Sequence, residues 1–218
     1  MFDAGWTLTF NYTTLFLTAL STIYLPLLTG ATRKEHQKTH MLKAAYMVLA
    51  GSSLVCYSMV LGKTLLIRTL YSQQFEAAGG VLVILCIAVI FRGVSWVYGT
   101  LIIATRSSRV LLASDWIFNL GLLLAARYCL QHSTSLEALG WAFVVPNFLY
   151  LVFVVEYACH KNCLMQRRQI WPMVAVAVLP LILIATHGVQ LHGGNVLLAA
   201  TGLTVSLSAL HASRRVPS

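Results

Sequence analysis

Acidic side chains are scarce in this sequence. The 218 residues include 6 Asp and Glu, and all charged residues together make up 10%, against roughly 25% in soluble domains. So little charge excludes a disordered chain, a coiled coil and an ordinary soluble enzyme. A soluble fold needs a polar exterior, and a hydrophobic content of 58% leaves too little polar surface to build one. Also missing are a Gly-rich phosphate loop, a Ser-His-Asp set and a carboxylate pair, so no enzyme activity and no ATP-driven step are expected. The five cysteines are odd in number and lack a repeated ligand spacing, and they read as small hydrophobes. Cys56, Cys86 and Cys129 lie in apolar runs, while Cys159 and Cys163 flank a loop. A metal site at Cys159, His160 and Cys163 is the alternative reading and is set aside. His36 and His40 sit four apart on a basic stretch, where a metal would need more ligands. No metal and no cofactor are expected. The first eight residues hold Asp3 but no Lys or Arg, so the basic start of a signal peptide is lacking.

What is present is long apolar runs, with a mean hydropathy of +0.78. At about 20 apolar residues per spanning helix, the chain reads as all-α, a polytopic membrane helix bundle of about seven transmembrane helices. The segments fall at roughly 8–29, 43–67, 80–104, 109–130, 136–158, 171–188 and 193–211. The third is the plainest. The last is diluted by Thr201, Thr204, Ser206 and Ser208.

Charge sorts the connections. Arg33, Lys34, Lys38 and Lys43 follow the first segment, Arg106 and Arg109 the third, and Lys161, Arg167 and Arg168 the fifth; Arg214 and Arg215 close the chain. If seven helices alternate, these eleven of the 15 basic residues share one side. The other side has Arg68 and Arg127, each at a helix end, while Lys63 and Arg92 lie within segments. The positive-inside rule then predicts a cytoplasmic C-terminus and an N-terminus outside. The net charge of +9 reflects this bias and calls for no nucleic-acid partner.

The order of short motifs is informative. Asp3-Ala4-Gly5-Trp6 precedes a segment ending Tyr24-Leu25-Pro26-Leu27-Leu28. The second segment closes on Leu70-Tyr71-Ser72-Gln73-Gln74-Phe75-Glu76-Ala77. The third contains Phe91-Arg92-Gly93-Val94 and ends Leu101-Ile102-Ile103-Ala104-Thr105-Arg106, and the fifth opens Leu136-Glu137-Ala138-Leu139-Gly140-Trp141-Ala142. Over residues 3–160 this series resembles the C-terminal lobe of Wzx-type polysaccharide flippases, within the superfamily of multidrug, oligosaccharidyl-lipid and polysaccharide exporters (the MATE/MOP fold). The resemblance implies two six-helix lobes facing a central cavity. It implies translocation of undecaprenyl-pyrophosphate-linked oligosaccharide across a bacterial inner membrane, for O-antigen, capsule or exopolysaccharide. Family members usually exceed 400 residues, and the first motif here matches the second helix of the C-terminal lobe. The expected organisation is therefore 1–160 as C-terminal-lobe helices and 161–218 as a basic loop, a transmembrane hairpin and a short cytoplasmic tail. Implied partners are the lipid-linked oligosaccharide, membrane lipids, and a separately encoded N-terminal lobe or a polysaccharide polymerase. The competing readings are a multidrug antiporter of the same superfamily and a non-transporting remnant or assembly partner.

Arg92 is the most informative residue. It lies near the middle of the third segment, where an unpaired charge costs roughly 2.5–3.5 kcal/mol on insertion scales. It should face a cavity or a partner, and its fork suits a pyrophosphate or an acidic sugar. The alternative is a structural Arg paired with Asp115. Lys63 is a second candidate for the anionic headgroup, or snorkels to the interface. Asp115 and Asn119, four apart on one helix face, are candidates for an ion pair or a polar network. Pro146 with Asn147 marks a possible bend in the fifth segment.

Overall fold

The computed structural model describes residues 5–30, 34–70, 78–104, 107–132, 135–162 and 167–187, together with 202 and 204. Every described residue except Gly62, Ser107 and Ser135 is helical. After a π-helical segment, Thr7–Asn11, come seven α-helices: α1 (Tyr12–Gly30), α2 (Lys34–Leu61), α3 (Lys63–Leu70), α4 (Ala78–Ala104), α5 (Ser108–His132), α6 (Leu136–Asn162) and α7 (Arg167–His187). The chain is all-helical among the described residues. Four stretches are long and apolar enough to cross a membrane: Thr39–Leu61, Gly79–Ala104, Arg109–His132 and Leu136–His160; a shorter apolar helix covers Ile170–Thr186. These helices mark the chain as a membrane protein.

The expected second segment, 43–67, is divided at Gly62 into α2 and α3. The Gly62 N–H still donates to the Ser58 carbonyl (2.9 Å) and Leu66 N–H to the Gly62 carbonyl (2.8 Å), so the helical path continues through the break. Gly at this point exposes backbone and weakens the helix locally. The expected last segment, 193–211, lies outside the described residues apart from Gly202 and Thr204, as do Cys163, Arg214 and Arg215.

Helix α4 is the axis of the bundle. Residues 81–91 are buried without interruption, because α6, α2, α7 and α1 surround it. An 18-residue stretch of α4 is 83% buried, whereas the matching stretch of α5 is 6% buried. Helix α5 packs chiefly on α6 and leaves Leu112, Trp116, Ile117, Leu120, Leu123 and Leu124 exposed. Apolar exposure on this scale suits lipid and not water.

Small residues bring the helices together. A Cβ on Gly93 would lie 3.1 Å from Val48 Cγ1, and one on Gly140 would lie 3.1 Å from Ile84 Cγ2. Glycine at these crossings lets α4 approach α2 and α6 closely, the contact that holds helices together where burial from water gives no drive. Polar links are few and specific. The buried Tyr57 hydroxyl donates to the Ala177 carbonyl at 2.8 Å, tying α2 to α7. Cys56 and Cys86 exchange S–H···O contacts with each other's carbonyls at 3.6 and 3.9 Å, tying α2 to α4. Buried hydroxyls return to their own helices: Ser52 to Val48 O at 2.6 Å and Ser95 to Phe91 O at 2.7 Å. Such back-bonding satisfies a hydroxyl within hydrocarbon, while the buried Ser53 Oγ has no hydrogen-bond partner.

Candidate functional site: an aromatic cavity around Arg92

On α4, Gly93 turns toward α2. Arg92, one residue earlier and about 100° round the helix, turns toward α5 and α6. Its guanidinium lies over the Phe118 ring, 4.7 Å from the centroid, and 5.7 Å from that of Tyr150. Phe118 and Tyr150 meet edge to face at 5.5 Å. A cation held on two ring faces in a place shielded from water is stabilised by about 1–2 kcal/mol. This is how a half-buried arginine is tolerated at mid-helix.

Arg92 forms part of the wall of a cavity of about 440 Å³ between α1, α4, α5 and α6, within the about 300–1,000 Å³ of small-molecule sites. The π-helical segment delivers one wall. Trp6, just before this segment, and Phe10 within it stack at 3.9 Å with an interplanar angle of 13°. Trp6 also meets Phe143 of α6 at 4.8 Å. Trp96, one turn after Arg92, and Phe118 extend the aromatic lining, while Asn11, Thr14 and Thr18 are exposed at the rim. Among the described residues that line the cavity, Arg92 alone is charged.

Asn147 adds a second polar group. It is buried, 1% exposed, and its Nδ2 donates to the Phe143 carbonyl at 2.7 Å. Its Oδ1 has no hydrogen-bond partner. The nitrogen is fixed by chemistry, since only Nδ2 can donate to a carbonyl. Pro146 beside it has no N–H for the usual bond to the carbonyl four residues earlier, so this stretch of α6 is already short of donors.

The other residues singled out in the sequence fall elsewhere. Lys63 is half-buried at the start of α3, where a Cβ on Gly79 would lie 3.8 Å from its Cδ. That is near the first turn of α4, roughly 20 Å along the helix from Arg92, and Lys63 is not part of the cavity wall. Asp115 is exposed on α5, and Asn119, also exposed, donates from Nδ2 to the Asp115 backbone carbonyl at 2.8 Å. Their link runs through the backbone of one helix turn. Arg92 is held instead by Phe118, three residues beyond Asp115. His160 lies 3.8 Å from Glu156, an i,i+4 pair at the end of α6.

Phe10, Trp96, Phe118, Phe143 and Tyr150 were not legible as site residues. Aromatics at helical spacing read equally well as core; the one sequence signal that could have found one of them is the place of Trp96 one turn from a mid-segment arginine. The arrangement puts one guanidinium beside several aromatic faces in a single cavity wall. Flat apolar faces receive rings, and one guanidinium receives an anion. No protein-family model, no curated protein and no solved structure matches the chain, so the likeness to polysaccharide flippases rests on its motifs.

Proposed function

We propose that this chain is the C-terminal part of a bacterial inner-membrane flippase for undecaprenyl-pyrophosphate-linked oligosaccharide, working in surface-polysaccharide biosynthesis. The observation that carries the reading is Arg92, held at the middle of α4 on the rings of Phe118 and Tyr150 at the wall of an aromatic cavity. Such a site offers a charge-assisted fork to a pyrophosphate and ring faces to sugar or prenyl groups. In this reading there are seven spans, the N-terminus is outside and the C-terminus cytoplasmic, following the basic connections. The cavity opens along α1 and α5, whose outer faces are apolar and exposed. A facing set of helices would close it and give alternating access. Such helices, or a polysaccharide polymerase, are the expected protein partners.

The antiporter alternative is less favoured. A cation-binding cavity needs an embedded acid, whereas Arg92 lines this cavity and Asp115 is exposed. The remnant or assembly-partner reading makes the opposite prediction in the same experiment. The chain, expressed with whatever its locus encodes upstream, is placed in a flippase-deficient strain. Restored surface polysaccharide is expected. Arg92→Ala should abolish it with membrane insertion intact, and Arg92→Lys should retain part of it. Normal polysaccharide in the Ala variant would remove Arg92 from the mechanism. No restoration by the unmodified chain would favour the non-transporting reading.

A further inference from the structure

The cavity presents a feature that an anion site does not need. The Oδ1 of Asn147 is buried and lacks a donor, in a wall shared with the stacked Trp6 and Phe10 rings and the tilted Phe143 ring. A buried acceptor without a donor is unfavourable and calls for an explanation, of which a donor supplied by a bound molecule is one. The amide cannot serve itself: its Nδ2 is already committed to the Phe143 carbonyl, which fixes the amide plane. A donor carried on a ring that lies against the aromatic faces would complete the site. Hydroxyls and amide N–H groups of a pyranose have that combination, with an apolar C–H face to stack and donors at the edge.

We infer that Asn147 is the sugar-reading residue of this cavity: its Oδ1 accepts a hydrogen bond from a hydroxyl or acetamido N–H of the glycosyl unit next to the anionic group held by Arg92. The inference rests on the flippase reading and adds to it a position that senses the sugar apart from the anion. Asn147 sits four residues after Phe143 on α6, so one helix face carries both the ring platform and the acceptor.

The test uses the full chain in lipid nanodiscs, with binding followed by tryptophan fluorescence, since Trp6 and Trp96 line the cavity. Two probes are compared, farnesyl pyrophosphate and its N-acetylglucosaminyl ester. The unmodified chain should prefer the glycosylated probe by about tenfold, the value of one satisfied buried hydrogen bond. Asn147→Leu, close in shape, should erase that preference, lowering affinity for the glycosylated probe more than for farnesyl pyrophosphate. Arg92→Gln should weaken both probes alike. If the sugar preference persists in Asn147→Leu, the inference is overturned and the anion reading stands. If farnesyl pyrophosphate binding ignores Arg92, or neither probe binds, the flippase reading fails and the inference fails with it. Should Asn147→Leu not fold, monodeoxy versions of the glycosylated probe on the unmodified chain decide the matter. One of them should lose about tenfold in affinity, and equal binding of all of them overturns the proposal.

Discussion

At the scale of the residue, Arg92 shows how a charge is kept inside an apolar bundle. Its partners are ring faces and not an acid: Phe118 at 4.7 Å and Tyr150 at 5.7 Å. Phe118→Leu keeps the volume roughly and removes the quadrupole. We expect it to destabilise the fold by about 1 kcal/mol, seen as a lowered melting temperature in detergent, while Phe118→Tyr stays near the parent. An equal loss in both would mean that packing, not the cation–ring contact, matters there. Gly140 lends itself to a second test. Its missing side chain admits Ile84 at the α4–α6 crossing. Gly140→Leu should cost about 1–3 kcal/mol through overpacking, and a compensating Ile84→Ala should recover part of it. An unchanged melting temperature in Gly140→Leu would show that α4 and α6 can separate freely.

At the scale of the element, α4 and α5 are the instructive contrast. Both read as apolar segments, and both appear within two residues of their expected bounds, 80–104 against Ala78–Ala104 and 109–130 against Ser108–His132. Length and hydropathy are local properties, and local hydrogen bonding within a helix satisfies the backbone wherever the helix lies. Which of the two would be central was not legible, because burial depends on neighbours and not on composition. The break at Gly62 was equally hidden inside an apolar run. The start of α6 can be tested by itself. The Ser135 hydroxyl accepts from the Ala138 N–H at 3.2 Å, an N-cap of the usual kind. Ser135→Ala should lower stability by about 0.5–1 kcal/mol, while Ser135→Asp should preserve it; matching melts for the parent and the Ala variant would show that the cap contributes nothing.

At the scale of the whole molecule, the bundle surrounds α4 on most sides but leaves an opening where α1 and α5 flank the cavity. The exposed leucines and Trp116 along α5 belong in lipid or against further helices. The proposed topology rests on the alternation of basic connections. Reporter fusions after residues 104 and 162 should report the cytoplasm, and fusions after residues 70 and 132 the outer side. The reverse pattern would invert the charge argument, and a mixed pattern would change the span count.

The sequence by itself determined that this chain is helical and belongs in a membrane. It also placed most helix ends, and it singled out Arg92 because a charge in a long apolar run has few places to go. Those are consequences of local chemistry, readable one segment at a time. The tertiary structure alone decided that Arg92 meets Phe118 and Tyr150 while Asp115 faces outward, and that Lys63 stands apart. It also decided that Trp6, Phe143 and Asn147, far apart in the sequence, share one wall. Which face of a helix meets which neighbour is set by the close approaches at Gly93 and Gly140 and by the rotation they impose, and helical spacing carries no record of the partner across the gap.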